Sequence, residues 1–225
     1  MTAHAIGSKR LMRWFNLRLL AVAAVAAVAA AVVTVYVDMH PLISQDVTLE
    51  RDVQSVNWGP LTLLFAMFSF IGDAKGAVLE AVIFVAVLIF NRRAWLIPLG
   101  AAVTGGLYLL INHLVLRPRP SVGLVLQVKE HPSGSSYPSG HEIFIVSIVT
   151  VLMVCFGLRY LPRWAQVIGW VVAALIAVAN AIGRVDLGAH WPTDVLGGFF
   201  IAVAWLGLWL SIRPVSERAE GTKGS

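Results

Sequence analysis

Six apolar runs, each close to the length of a bilayer-spanning helix, constrain this chain of 225 residues more than any other feature. A hydrocarbon core of about 30 Å is crossed by about 20 apolar residues in an α-helix. Runs at 17–37, 74–90, 94–116, 142–158, 165–183 and 193–212 approach that requirement. Lipid satisfies no backbone hydrogen bond, so such segments must form helices. The expected fold is therefore an all-α, polytopic membrane bundle of six transmembrane helices. A further apolar stretch, 58–71, is short and reads as a helical segment lying in or dipping into the outer interface. Hydrophobic residues make up 58% of the chain and charged ones 13%, which excludes an ordinary soluble domain.

The formal charge is +5, but Lys and Arg fall in small groups between the runs, which excludes a nucleic-acid-binding face. Lys9, Arg10, Arg13 and Arg18 precede the first run, Arg92 and Arg93 follow the second, Arg159 and Arg163 follow the fourth, and Arg213, Arg218 and Lys223 close the chain. These groups alternate as cytoplasmic joints do under the positive-inside rule. The expected organisation is a cytoplasmic basic N-terminus (1–16), a transmembrane domain (17–212) and a cytoplasmic, disordered polar tail (213–225), in the plasma or inner membrane. The first run is longer than a signal-peptide core and reads as a retained anchor. The joint after it, 38–73, contains Asp46, Glu50 and Asp52 and is expected outside. A single cysteine, Cys155, excludes an intrachain disulfide.

The third and fifth joints are also expected at the periplasmic or extracellular face, yet they hold Arg117, Arg119, Lys129 and Arg184. Basic residues there need a reason other than topology. A guanidinium is a rigid fork of donors that matches phosphate oxygens, and Arg119 and Arg184 are the pair selected. Pro118 and Pro120 hold the chain around Arg119 extended. Anchoring of helix ends to lipid headgroups is the alternative for either arginine alone. Ser139, Gly140 and His141 fall at an expected helix N-terminus, where backbone N–H groups favour an anion; a plain N-cap fits Ser139 and Gly140 equally. His190 and Asp194 are four residues apart, so the carboxylate can orient one imidazole nitrogen of a nucleophile or base and leave the other exposed. Two histidines and an aspartate also suit zinc, but two arginines at the same point repel a cation. No metal and no cofactor are expected.

These motifs resemble the type 2 phosphatidic acid phosphatase family, whose pattern is Lys-x6-Arg-Pro, Pro-Ser-Gly-His and Ser-Arg-x5-His-x3-Asp. Here Asn112-x6-Arg119-Pro120 departs at the lysine, Pro138 to His141 match fully, and Gly183-Arg184-x5-His190-x3-Asp194 departs at the serine. The resemblance implies that His190 attacks phosphorus, Asp194 orients it, and His141 acts as general acid. It further implies that Arg119, Arg184, Ser139, Gly140 and Asn112 hold the phosphate. His113 or Lys75 is a candidate source of the charge that Asn112 lacks, and Asp186 is expected to face water. The expected function is metal-independent hydrolysis of a lipid phosphate or pyrophosphate through a phosphohistidine, with a polyprenyl diphosphate such as undecaprenyl pyrophosphate favoured. Alternatives are a phosphatidic acid or phosphatidylglycerol phosphate phosphatase, a lipid phosphotransferase, and a non-catalytic lipid-binding homologue. Expected partners are the lipid substrate and membrane lipids, with no nucleic acid and no obligatory protein partner.

Overall fold

The computed structural model describes residues 14–72 and 75–220. Lys9, Arg10, Arg13, Asp73 and Lys223, used above for topology, lie outside the described residues. Helix α1 (Leu17–Met39) begins at Asn16, whose side-chain oxygen accepts from the amides of Arg18 and Leu19. It lies along α8 (Pro192–Ser211), burying Ala23, Ala26, Ala30 and Val37. Their spacing of three, four and seven residues makes a narrow stripe, and the three alanines within it let helices approach closely.

Between these two helices run α2 (Ser44–Ser55), α3 (Leu61–Gly72), α4 (Gly76–Phe90), α5 (Leu96–Leu114), α6 (Gly140–Leu152) and α7 (Arg163–Asp186). A π-helical turn, Met153–Gly157, and a last turn, Leu158–Tyr160, extend α6. Helix α6 packs against α5, α7 and α8. Its Ile143, Val146, Val151 and Val154 join Ile97 and Ala101 of α5 and Ile201, Ala202 and Leu206 of α8 in one core. A helix apolar all round takes such a central place.

Among the described residues five helices are long and apolar enough to cross a membrane: α1, Arg92–Leu114, Gly140–Tyr160, α7 and α8. The expected span at 74–90 is the 15-residue α4, about 22 Å long at 1.5 Å per residue and shorter than the others. The segment expected in the interface forms α3, which turns Phe65, Phe68 and Ser69 inward against α6 and α7. The tail differs from its expected disorder: Arg213–Glu220 is helix α9, held by Val215, which is buried in the core cluster beside the end of α8. Arg18, Arg92, Arg93, Arg159, Arg163, Arg213 and Arg218 all fall at the bundle end where α1 begins and α8 stops. The motif residues fall at the other end, beneath the irregular segment that joins α5 to α6.

Candidate active site

Five expected residues, Arg119, Gly140, His141, Arg184 and His190, converge on one cavity of about 400 Å3 that is also lined by Gly72, Tyr108, Pro132 and Ser133. Each comes from a chain end or turn. Arg119 sits on the stretch following α5, His141 on the first turn of α6, Arg184 on the last turn of α7, and His190 in the turn before α8. That turn is tight: the amides of Ala189 and His190 both donate to the carbonyl of Arg184. The arginine and the histidine of the third motif are thereby locked together.

His190 is buried at 3% exposure, and its Nδ1 lies 2.7 Å from the carbonyl oxygen of Ser136. A carbonyl only accepts, so Nδ1 carries the hydrogen and Nε2 the lone pair. Nε2 lies 3.5 Å from Nη1 of Arg119. Burial pushes the imidazole below its ordinary pKa, with the Asp194 carboxylate opposing and the Arg184 charge reinforcing the shift. The result at neutral pH is an uncharged, nucleophilic ring. Asp194 had been expected to orient this ring directly. Its Oδ2 is 3.8 Å from Nδ1, because that oxygen accepts from the Trp191 amide at 2.9 Å and Oδ1 is taken by Arg117 at 2.5 Å. The short bond to Nδ1 is that to the Ser136 carbonyl, with the Asp194 carboxylate further off.

Arg119 donates through Nη1 to the Ala189 carbonyl at 2.7 Å and through Nη2 to the Ser135 carbonyl at 2.9 Å. Burial lowers its pKa, but a guanidinium remains charged. Arg184 is 1% exposed. Its Nη1 donates to the Ser69 hydroxyl at 2.8 Å, and its Nη2 meets the Glu130 carboxylate at 2.9 Å. The same Ser69 offers its carbonyl to Nε2 of His141 at 3.2 Å. Ser69 thus contacts Arg184 through its hydroxyl and His141 through its carbonyl. A hydroxyl from α3 also meets the arginine whose neighbouring serine is missing from the third motif. A Cβ at Gly183 would stand 2.9 Å from the Phe65 ring, so a serine there requires the Phe65 side chain to give way.

Ser139 is fully buried, and its Oγ has no hydrogen-bond partner among the described residues. Its carbonyl lies where a Cβ on Gly198 would come within 2.7 Å, so that glycine lets the Pro-Ser-Gly-His turn seat on α8. Gly140 opens α6 and faces the cavity. Asn112 does not line the cavity. Its Nδ2 donates to the carbonyls of Ser135 and Tyr137 at 3.0 and 2.9 Å, holding the strand of chain that also receives Arg119. Neither candidate for the missing lysine charge lines the cavity either. His113 is exposed and bonds back to the Leu109 carbonyl through Nδ1, and Lys75 places its Nζ 3.1 Å above the Phe70 ring.

Several participants had no assigned part in the sequence reading. Arg117 is 2% exposed and donates to Pro41, Thr193, Asp46 and Asp194. Asp46 and Glu50, read with Asp52 as part of an external acidic joint, form with Gln54 a buried stripe on α2 at four-residue spacing over the ends of α7 and α8. Burial, reinforced by Asp194 and Asp46, raises the Glu50 pKa to about 9. Asp186 does not face water: it is 3% exposed and pairs with Lys129 at 3.1 Å. Trp191 is buried and donates through its indole N–H to the Pro118 carbonyl at 2.8 Å.

The model of the PAP2 superfamily matches residues 93–218. The chain is 32% identical over 107 residues to undecaprenyl-diphosphatase of Sulfolobus acidocaldarius, covering 47% of this chain and 45% of that protein. It is 33% identical over 121 residues to phosphatidylglycerophosphatase B of Bacillus subtilis, covering 52% and 57%. The chain therefore spans about half the length of the curated relatives it matches. In fold it is similar to the crystal structure of a transmembrane PAP2 type phosphatidylglycerolphosphate phosphatase from Bacillus subtilis. That similarity has a TM-score of 0.69 over 84% of this chain and 94% of the other, at 21% identity.

Proposed function

The chain belongs to the PAP2 superfamily, and we propose that it hydrolyses a lipid phosphate or diphosphate through a phosphohistidine on His190, without a metal ion. The observation that carries this reading is the convergence on one cavity of two arginines, a neutral histidine with its lone pair at Nε2, and a second histidine. Nε2 of His190 attacks the terminal phosphorus as its bond to the leaving oxygen breaks, an oxygen of the lipid alcohol in a monophosphate or of the lipid monophosphate in a diphosphate, and His141 gives that oxygen a proton. Water, deprotonated by His141, then attacks the phosphohistidine and releases inorganic phosphate. Arg119, Arg184, the Ser139 hydroxyl and the Gly140 amide stabilise the equatorial oxygens as charge develops, and Asp194 stabilises the imidazolium.

A polyprenyl diphosphate is the substrate we favour, with a relative named undecaprenyl-diphosphatase in support. An apolar cavity supports a lipid substrate: Ala81, Phe84, Leu99, Ala102, Ile148 and Val151 line about 310 Å3 among α4, α5 and α6, and α5 and α6 also contribute to the candidate site. Basic residues gathered at the opposite end of the bundle support a cytoplasmic location for that end and an external site. The test is phosphate release in EDTA by the detergent-purified protein from polyprenyl and glycerolipid phosphates, beside His190→Ala. Release that survives EDTA and falls about 10³-fold or more in the variant is expected. Release abolished by EDTA, or undiminished in His190→Ala, would overturn the mechanism.

A further inference from the structure

We propose that Glu130 is an intramolecular competitor for the phosphoryl site, its carboxylate exchanging with substrate or product on Arg184, and that Ser69 is a ligand of whichever anion is bound. This rests on the reading of the cavity as a phosphoryl site. The carboxylate is held at both oxygens: Oε2 lies 2.9 Å from Nη2 of Arg184, and Oε1 accepts from the Ser69 hydroxyl. Ser69 in turn accepts from Nη1 of Arg184 at 2.8 Å. Two acceptor oxygens facing a guanidinium and a hydroxyl reproduce the grip expected on a phosphoryl group.

Three features make the carboxylate the exchangeable partner. Arg184 is buried on α7 and Ser69 on α3, whereas the Glu130 side chain is 28% exposed and stands on the irregular segment before Pro132 and Ser133, which line the cavity. Neighbouring Lys129 does not hold it, since that side chain is paired with Asp186. Among the described residues Arg119 is held by carbonyls and the His190 ring rather than by a carboxylate. One of the two phosphate-directed arginines therefore brings its own counter-charge. That charge lowers the cost of burying the Arg184 guanidinium as each phosphate leaves. An incoming anion must displace it. A lipid phosphate offsets that displacement by burying its tail, whereas free phosphate has no such gain. Glu130 thereby discriminates against the inorganic product and favours its release.

The test measures inhibition of lipid phosphate hydrolysis by inorganic phosphate, and the rise in Tm caused by inorganic phosphate, in detergent. Glu130→Gln should lower the inhibition constant about tenfold or more, equivalent to about 1.4 kcal/mol, and lower KM for the lipid. Glu130→Asp, charged but one methylene shorter, should lie between variant and parent. Ser69→Ala in the Glu130→Gln background should weaken phosphate binding again by several-fold. An unchanged or raised inhibition constant in folded Glu130→Gln would show that Glu130 only braces Arg184. Should that variant not fold, the same result in Glu130→Asp overturns the proposal. Unchanged phosphate binding on removing the Ser69 hydroxyl overturns its role as ligand. The Tm shift reads phosphate binding without turnover. A chain that hydrolyses no lipid would therefore sink the catalytic reading while the competition is still tested.

Discussion

Arg117 and Arg119 stand two residues apart in one Arg-Pro-Arg-Pro segment and belong to different regions of the molecule. Arg117 is enclosed by the carboxylates of Asp46 and Asp194, the Thr193 hydroxyl and the Pro41 carbonyl. Arg119 is held by the neutral carbonyls of Ala189 and Ser135 and faces the cavity beside Nε2 of His190. Carbonyls fix a guanidinium's direction without cancelling its charge. The difference separates a charge that belongs to the fold from one that remains available to a bound anion, within the same local sequence. Proximity to the site does not decide the matter, since Arg117 also touches it through Asp194.

Removing each arginine is the strongest way to break this contrast. Arg117→Ala leaves two buried carboxylates facing each other and should cost about 3–5 kcal/mol, seen as loss of folded protein after detergent extraction. Arg119→Ala should instead fold, with Tm within a few degrees of the parent, and lose about 10²–10³-fold in kcat/KM. A folded Arg117→Ala protein with only its catalysis impaired would erase the distinction. Asp46→Asn is the milder probe, because Arg117 keeps Asp194. It should cost about 1–3 kcal/mol in denaturant or thermal unfolding. It should lower kcat with little change in KM, since Asp46 acts on His190 indirectly, through Arg117, Asp194 and its bonds from the Thr193 amide and hydroxyl. A change confined to KM would place Asp46 at the substrate.

Glu50 sharpens the comparison from the side of pH. It stands by Asp46 and Asp194, and one guanidinium already serves both; its Oε2 has no hydrogen-bond partner among the described residues. Its pKa is raised to about 9 from 4.5, so across that window the folded state keeps a proton that the unfolded state has released. Stability therefore falls as pH rises from the lower value to the upper. Glu50→Gln removes the titration. Its Tm advantage over the parent should be small near pH 5 and should grow toward pH 9. An advantage independent of pH would show that Glu50 is ionised in the fold.

The helices and the cavity-lining residues were legible because both are written locally. Apolar runs of bilayer length fix α1 and α5 to α8, and motif spacing alone brings Arg119, His141, Arg184 and His190 to helix ends on one side. Less visible were contacts that depend on which side of an element faces the protein. Asp46, Glu50 and Gln54 repeat every four residues, a pattern that suits a solvated face as well as a buried one; only the fold shows it turned inward. Ser136 orients His190 through its backbone, which any residue type would supply. Ser69 is one hydroxyl in an apolar run, and Glu130 one carboxylate in an irregular segment, so neither carries a pattern. Among the described residues of the tail helix Val215 is the buried apolar one, too little to overrule its polar composition.

Asn112 tests how far the contrast between structural and available charge extends to the family's missing lysine. An amide two atoms shorter than a lysine ends at the carbonyls of Ser135 and Tyr137. Ser135 shares its carbonyl with Arg119. The nearby bond therefore positions the phosphate-directed arginine and adds no charge of its own. Asn112→Ala should cost about 1–2 kcal/mol, because two carbonyls lose a donor, and should raise KM through a looser Arg119. Asn112→Lys should restore a cation while making at most one of those bonds well. The gain and the loss oppose each other, so kcat/KM should stay within about threefold of the parent, the smallest effect in this series. A gain of tenfold or more would show that the lysine ammonium reaches the phosphate directly and that the asparagine had left a catalytic charge unfilled. A tenfold loss would show that the paired carbonyl bonds matter more to Arg119 than any added charge.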